Sequence, residues 1–303
     1  MPRMGEEKQN AGPSDNTGNK SLTPRKRGEL ARITAIIREK APATEMILLF
    51  GSYARGTAVE DVTVEGNTTL EYCSDFDILV IVKDPSLADQ IDLWYDIEEA
   101  AGKLPVQTPV TIIAHDIQFV NAQLERGQYF FSDIKKEGIV LYDSKNCTLS
   151  DAKPQTPEQR VSQAKTDFNE YFESAEIFLK HCKYALKDEN YKHGAFMLHQ
   201  AAENFYKTVL LVYTNYKPKT HKLDKLCKMA GQHDRAFLKI FPLGTDEEKR
   251  RFDLLKRAYV EARYNPKYVI TAEELNYLAR CVELLRDQTK TSCETKMNSF
   301  ISS

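Results

Sequence analysis

The sequence predicts an α+β protein in which a small sheet with flanking helices is followed by an antiparallel helical bundle. Short apolar runs at residues 46–50, 76–82 and 110–114 have the length of strands, and helical patterns lie between them. From residue 160 onwards, apolar residues recur at helical spacing. A polar segment containing Pro154 and Pro157 separates the two patterns. We therefore divide the chain into a tail (1–27), an α/β domain (28–145), a linker (146–159) and a helical domain (160–303).

The first 27 residues differ in composition from the rest of the chain. They are rich in Gly, Ser, Asn, Thr, Pro and charge, with almost no large apolar residues. Such a segment buries too little apolar surface to offset its ordering entropy, so we expect disorder. The basic cluster at 24–27 (PRKR) is then a solvated part of the tail or a contact for an acidic partner, and we favour the first interpretation.

The α/β domain is predicted to alternate helices and strands. A helix precedes the first strand and a second follows Asp84, and residues 119–142 form short helices that end in the apolar stretch 138–142. The apolar faces of the first two helices consist of Leu30, Ile33, Ile36 and Ile37, and of Leu93, Ile97 and Ala101.

The first strand runs into residues 48–56 (LLFGSYARG), where the apolar run breaks at Gly51 and Ser52. This pattern predicts a strand that enters a tight turn. Gly51 allows the backbone to approach a ligand, Ser52 adds a hydroxyl and its own N–H, and Arg55 adds a forked cation. These groups are suited to binding phosphate.

The second strand begins at residues 74–82 (SDFDILVIV). The strand period of two sends the carboxylates of Asp75 and Asp77 to one side and Phe76 to the other. Two such ligands suit Mg²⁺, which binds through one or two carboxylates together with phosphate oxygens and water. Either motif alone is commonly an ordinary turn or a solvated face, but the two in order predict a site for Mg²⁺ and a nucleotide phosphate.

Residues 50–56 followed by 74–80 resemble the signature of the DNA polymerase β-like nucleotidyltransferases, particularly their minimal and aminoglycoside-modifying branches. The resemblance covers roughly residues 28–145 and implies a mixed sheet. It implies transfer of a nucleoside monophosphate from an NTP to a hydroxyl of a small molecule or a protein, with release of pyrophosphate. Gly51, Ser52 and Arg55 would bind the NTP, and Asp75 and Asp77 would be catalytic Mg²⁺ ligands.

The chain departs from that family pattern in two places. Residues 58–72 form an insertion between the motifs, with a hairpin-like turn at 65–68. The family also supplies a third carboxylate from a later strand, and Thr111 occupies the matching position here, with His115 and Asp116 as alternative substitutes. The departure leaves three alternatives: a slow transferase, a one-metal variant, or a sensor that binds the nucleotide without turnover.

The helical domain contains three apolar stripes at helical spacing, which we interpret as core. His199, Glu203 and Lys207 lie four residues apart on one predicted helix face. His199 and Glu203 could bind a metal, but we favour a buried polar network because no Cys or second His completes a ligand set. The stripes comprise Phe168, Phe172, Ala175, Phe178, Leu179, Cys182 and Leu186; Phe196, Ala202, Phe205, Val209 and Val212; and Leu275, Leu278, Val282 and Leu285.

Residues 199–207, 220–223 (THKL) and 262–264 (ARY) resemble HEPN domains, the helical partners of prokaryotic nucleotidyltransferases, over roughly residues 160–290. Ribonuclease members of that family use an Arg followed a few residues later by His, and no His follows Arg263. The resemblance therefore implies a substrate-binding or dimerising module, and we expect a homodimer. The alternative function is a nucleotide-binding regulatory protein of toxin–antitoxin or phage-defence type.

Composition favours a protein of the cytoplasm. The 303 residues are 42% hydrophobic, no apolar run has the length of a membrane span, and no signal-peptide core is present. The formal net charge of −2 argues against bulk attraction to nucleic acid, so nucleic acid is not indicated as a partner. Six scattered cysteines without a Cys-x-x-Cys pair argue against zinc or a disulfide framework.

Overall fold

A computed structural model describes residues 22–58, 60–65, 68–106 and 108–301, with the side chains of 60–65 and 68–73 outside the described part. The first helix, α1, spans Pro24–Lys40. Thr23 caps it by accepting a hydrogen bond from Lys26 N, and Pro24 occupies its first turn, where a missing N–H costs nothing. Residues 24–27 are thus helical, which corrects their assignment to a disordered tail. Residues 1–21 of that prediction lie outside the described residues.

A four-stranded mixed sheet is the centre of the α/β part, as predicted. Its order is β5-β4-β1-β6; β1 is antiparallel to β4 and β6, and β4 is parallel to β5. A separate two-stranded sheet, β2-β3, forms within the insertion, and residues 66–67 of its predicted turn lie outside the described residues. The strands are β1 (Thr44–Phe50), β2 (Glu60–Glu65), β3 (Thr68–Cys73), β4 (Phe76–Val82), β5 (Val110–Asp116) and β6 (Ile139–Asp143).

Helices cover one face of the four-stranded sheet. Alternate residues of the strands, including Ile78 and Val80, are buried in one hydrophobic cluster with Ile33 of α1 and Trp94 of α4. This alternation is the period-2 pattern of a strand with one face against helices. The helices that lie between β1 and β6 in the sequence are α2 (Gly51–Arg55), α3 (Pro85–Ala88), α4 (Ile91–Gly102), α5 (Ile117–Glu125) and α6 (Tyr129–Glu137).

The second half of the described chain is helical and has its own core. Helix α7 begins at Pro157, because Thr156 and Gln159 form a capping box, so residues 157–159 belong to the helix and not to the predicted linker. Helix α8 packs against α7, α9 and α12. The elements are α7 (Pro157–Lys187), α8 (Tyr191–Thr214), α9 (Leu223–Gly231), a 3₁₀ helix (Arg235–Lys239), α10 (Asp246–Arg257), α11 (Glu261–Tyr264) and α12 (Ala272–Ser299).

The described residues form two compact units that interleave along the sequence. The first comprises those within Met1–Val59, Cys73–Ile117 and Ile134–Thr148, and the second those within Glu60–Tyr72, Gln118–Asp133 and Leu149–Ser303. Within the second, Tyr129 Oη donates to Val212 O at 2.9 Å, and the Phe130 ring stacks on Tyr216 with centroids 4.3 Å apart. These contacts explain why 118–133 belongs with the helices, although it precedes the linker. No helix in the described ranges has both the length and the apolar character of a membrane span.

Candidate nucleotide site

The Gly51-Ser52 turn lies where β1 ends. Phe50 is the last residue of the strand, and α2 follows at once as a single helical turn of five residues. Gly51 has φ of +74°, in the left-handed region that side chains other than that of glycine rarely adopt. Gly56 closes the turn in the same region, at φ of +72°. The sequence predicted a tight turn at this point, and in the structure the strand passes directly into a single helical turn.

The two aspartates lie at the beginning of β4. Asp75 immediately precedes the strand and Asp77 is its second residue, and their exposed fractions are only 7% and 2%. Phe76 between them is fully buried in the cluster on the helix-covered face. Both carboxylates therefore belong to the opposite face.

The two motifs meet at one point. In the antiparallel pairing of β1 with β4, Phe50 is the partner of Asp77, so Gly51 follows directly beside that carboxylate. A Cβ atom added to Gly51 would lie 2.3 Å from Asp77 Oδ2, closer than any real contact. Glycine is thus required here for its φ angle and also for the space that the carboxylate occupies.

The remaining residues of the turn differ in exposure. Ser52 is partly exposed, but its Oγ is buried and has no hydrogen-bond partner among the residues whose side chains are described. Such an atom costs free energy unless a ligand or water satisfies it. Arg55 is the last residue of α2, and its side chain is exposed.

Thr111 lies in the row of the two aspartates. In the parallel pairing of β4 with β5, Thr111 is the partner of Asp77, and its Oγ1 donates a hydrogen bond to Asp75 Oδ2 at 3.3 Å. His115 and Asp116 pair with Ile81 and Val82 instead. At about 3.3 Å per residue, they lie roughly 13 Å or more along the strand from this row. Of the three residues considered for the missing carboxylate, only Thr111 lies beside the pair.

The donor set is two carboxylates and a hydroxyl. Within the ranges that the structure describes, no cluster of three or more His, Cys, Asp and Glu side chains is arranged to hold a metal ion. Two carboxylates nevertheless suit Mg²⁺, because this ion usually completes its six oxygen ligands with substrate phosphates and water.

Sequence reasoning missed a group of polar residues on the helix-covered face. Lys26 Nζ donates to Thr108 Oγ1, which donates to Glu29 Oε2 at 2.8 Å, and the exposed fractions of the three residues are 5% or less. The pair Thr23-Pro24 is a helix-start signal that would have placed Lys26 in a helix.

The helical unit contains the polar network predicted around Glu203. Its carboxylate accepts from Lys207 Nζ at 2.7 Å and from His221 Nδ1 at 2.9 and 3.0 Å. His199 Nδ1 donates to Leu255 O at 2.9 Å, while its Nε2 lies 3.6 Å from Glu203 Oε2, beyond hydrogen-bond distance. His221 joins this network from a loop, which helix spacing did not reveal.

The network changes the ionisation of Glu203. Burial acts to raise the pKa of this carboxyl, but contacts with His199, Lys207 and His221 outweigh burial and lower its pKa to about 2. The carboxylate is therefore ionised and matched by basic partners, as is typical of a structural network. Tyr259 contacts both histidines of the network: its ring stacks on His221 at a centroid distance of 4.5 Å and lies 5.3 Å from the His199 ring.

Comparison with known proteins identifies two domains. Residues 32–146 match the family model "Polymerase beta, Nucleotidyltransferase", and residues 168–291 match the HEPN domain model. Both resemblances predicted from the sequence are confirmed. None of the curated proteins compared matches the chain.

Two solved structures are among those similar to the chain. TT1696 from Thermus thermophilus is 17% identical over 41% of this chain and 97% of its own, with a TM-score of 0.33. A nucleotidyltransferase-like protein from Exiguobacterium sibiricum 255-15 is 11% identical over 88% of this chain and 78% of its own, with a TM-score of 0.29. Neither similarity is high enough to transfer a substrate to this chain.

Proposed function

Because the chain carries a Polymerase beta nucleotidyltransferase domain followed by a HEPN domain, we propose that it transfers a nucleoside monophosphate from an NTP to a hydroxyl of a small molecule or a protein. The acceptor oxygen forms a bond to the α-phosphorus, and the bond from that phosphorus to pyrophosphate breaks. The acceptor proton leaves to solvent or to a base. Gly51, Ser52 and Arg55 bind the triphosphate.

Asp75 and Asp77 hold Mg²⁺ in this proposal. Their carboxylates and the Thr111 hydroxyl are oxygen donors on one strand face, the ligand type that this ion prefers. When bound, Mg²⁺ neutralises charge that develops on the phosphate oxygens. The backbone of residues 75–77 keeps the carboxylates together, and the absence of a side chain at Gly51 provides the space that the Asp77 carboxylate occupies.

The observation that supports this proposal most directly is the contact between the two motifs. Gly51 and Asp77 are 26 positions apart in the sequence, yet a Cβ on the glycine would overlap the carboxylate. Ser52 is the next residue after Gly51, and its buried Oγ has no hydrogen-bond partner within the described part of the chain. A phosphate oxygen beside the carboxylate pair would give that hydroxyl an acceptor.

We further propose that the protein acts as a homodimer in a reducing compartment, the cytoplasm. Cys147, Cys182, Cys227, Cys281 and Cys293 are free thiols. Exposed apolar side chains of α7 and α12 support the dimer, because a second copy would cover them; they are Ile177, Tyr184 and Leu284. A monomeric sedimentation coefficient would contradict the dimer. Disulfide-linked cysteines in protein isolated under alkylating conditions would contradict the compartment.

A second candidate is a regulatory protein of toxin–antitoxin or phage-defence type, in which Mg-NTP binds without turnover. Thr111 favours it, because a threonine at the position beside Asp77 is no base at neutral pH. The intact aspartate pair favours the transferase.

Incubation with each of the four labelled NTPs, Mg²⁺ and candidate acceptors separates the two functions. A transferase releases pyrophosphate and labels the acceptor, and the Asp75→Ala/Asp77→Ala variant loses both activities. Calorimetric binding of Mg-NTP without release of pyrophosphate supports the regulatory function.

The matched control is Asp92→Ala/Asp96→Ala, which removes the same charge from exposed positions of α4. We expect this control to keep wild-type activity. Equal activity of the wild type and the Asp75→Ala/Asp77→Ala variant would rule out the transferase mechanism.

A further inference from the structure

Lys26 is a buried cation in a segment whose composition is that of a tail. Only 5% of the residue is exposed, whereas its neighbours Arg25 and Arg27 are exposed. A buried ammonium needs partners in place of water, and Lys26 has the Thr108 hydroxyl and the Glu29 carboxylate, 4.0 Å away. The first turn of α1 is therefore fixed to the segment that leads into β5.

The same ammonium lies against an aromatic residue of each motif. Its Nζ is 5.1 Å from the centroid of the Tyr53 ring and 5.6 Å from that of Phe76. The two rings contact each other, with centroids 4.6 Å apart and planes tilted by 53°. A desolvated cation over aromatic rings is attracted to both of them.

These two aromatic residues adjoin the residues that we propose to bind Mg-NTP. Tyr53 directly follows Ser52, and Phe76 lies between Asp75 and Asp77. Because side chains alternate across a strand, a shift of Phe76 into or out of the core moves both aspartates with it. A shift of Tyr53 likewise moves the turn that carries the Ser52 hydroxyl.

We propose that Lys26 is a positioning residue of the nucleotide site, which sets the Gly51-Ser52 turn relative to Asp75 and Asp77 by holding the rings of Tyr53 and Phe76 together. The inference rests on the proposed function, because it takes the nucleotide site as given. It assigns a role to the N-terminal segment 22–27, which lies outside both matched family regions.

Four variants of the full chain test this role. Lys26→Met removes the cation, and Lys26→Arg keeps one. Lys26→Met/Glu29→Gln also removes the carboxylate, which in the first variant loses its lysine but keeps Arg25 at 3.9 Å, so it offsets stability lost with the Lys26–Glu29 pair. Arg27→Met is the matched control, with the same loss of charge one residue away on the exposed side.

Two measurements are made on each variant. Amide hydrogen exchange without nucleotide reports the order of residues 51–57, and calorimetry reports the affinity for Mg-ATP, Mg-GTP, Mg-CTP and Mg-UTP. We expect faster exchange of 51–57 and about tenfold weaker binding in both Lys26→Met variants, since small displacements of binding groups are costly. Lys26→Arg should recover much of the affinity, and Arg27→Met should match the wild type.

The outcomes distinguish this inference from the proposed function. Wild-type rates of amide exchange at 51–57 in both Lys26→Met variants would overturn the positioning role. Recovery of wild-type exchange and affinity in the Lys26→Met/Glu29→Gln double variant would also overturn it, because that result would indicate only an effect on stability. Failure of the wild type to bind any of the four nucleotides overturns the proposed function, whereas the exchange data still decide whether Lys26 orders the turn.

Discussion

Buried carboxylates occur in both units of this protein, and their surroundings differ. Glu203 in the helical unit is contacted by Lys207 and His221 at hydrogen-bond distance, so the chain itself supplies the opposite charge. In the sheet unit, Asp75 accepts from a neutral hydroxyl and Asp77 lies against a glycine at positive φ. Burial is similar in the two places and does not by itself distinguish a structural carboxylate from a binding one. The sheet site is distinguished instead by the turn beside Asp77, where only glycine fits.

The turn beside the aspartates requires a glycine, and none of the residues of the Glu203 network is under such a restriction: Gly51 is at positive φ and has the Asp77 carboxylate where a Cβ would lie. Ser52 Oγ is a buried hydroxyl without a partner among the described residues, and His199 Nε2 is in the same situation in the helical network. Each reduces stability unless something compensates, and at the turn a bound phosphate could do so. We therefore expect changes at Glu203 to act on stability and changes at Gly51 to act on binding and activity.

The largest effect should follow from Glu203→Ala. This change leaves the Lys207 ammonium buried without its carboxylate, and removing one partner of a buried pair costs about 3–5 kcal/mol. Urea unfolding followed by far-ultraviolet circular dichroism measures the loss. Glu176→Ala is the control, since it removes an exposed carboxylate from α7 and should shift the free energy of unfolding by at most ~0.5 kcal/mol. Equal losses in the two variants would contradict the structural role of the network.

The next effect concerns Gly51→Ala, which should lower kcat/KM about a hundredfold, or roughly 2.7 kcal/mol of transition-state stabilisation. The added Cβ would overlap Asp77 Oδ2, and alanine disfavours φ of +74°. Gly28→Ala is the matched control, because no atom lies within 4 Å of its Cβ position and helix α1 favours alanine.

Fluorescence of Trp94, the single tryptophan, checks that the sheet unit still folds in both glycine variants. Wild-type activity of Gly51→Ala with an intact fluorescence spectrum would place the reaction elsewhere.

The sequence contained most of what defines the sheet site. Strand alternation and the break at Gly51 predicted both motifs, because these patterns are local and depend on neighbouring residues only. The position of Thr111 beside Asp77 could be predicted from the matching strand, and β-pairing bears it out. The contact between Gly51 and Asp77 could not be read directly, since it depends on the register of β1 with β4.

Two elements were missed for different reasons. The start of α1 was not predicted because residues 1–27 as a whole have the composition of a disordered tail, although Thr23-Pro24 is a local capping signal. The contact of His221 with Glu203 depends on the path of the loop after α8, and no periodicity in the sequence encodes that path. A capping signal can be recognised in the sequence, whereas the path of a loop can be determined only from the structure.

The next prediction concerns the pH dependence of the free energy of unfolding, which tests Glu203 as a structural carboxylate. The pKa of Glu203 is about 2 in the folded protein and near 4.5 in the unfolded chain, so its stabilisation is present above pH 4.5 and is lost as the pH falls towards 2. The loss amounts to about 2 kcal/mol after allowance for solvent screening. The free energy of unfolding of Glu203→Gln should vary less with pH over this interval, and parallel curves for variant and wild type would contradict the assignment.

The smallest effect concerns the third carboxylate, which the sheet site lacks because position 111 is a threonine. Thr111→Asp adds a third carboxylate in the row of Asp75 and Asp77, where like charges repel in the absence of a cation. Without Mg²⁺ this variant should therefore unfold more easily than the wild type. With Mg²⁺ the added oxygen ligand should tighten metal binding about tenfold, or roughly 1.4 kcal/mol, seen as a larger stabilisation by the metal.

The control is Thr111→Asn, whose side chain has a similar size to that of aspartate and no charge, so this variant should unfold like the wild type and gain nothing from Mg²⁺. If the Asp and Asn variants respond equally to Mg²⁺, the position beside Asp77 does not contact the ion. A difference between them would indicate that the site binds a metal through its carboxylates.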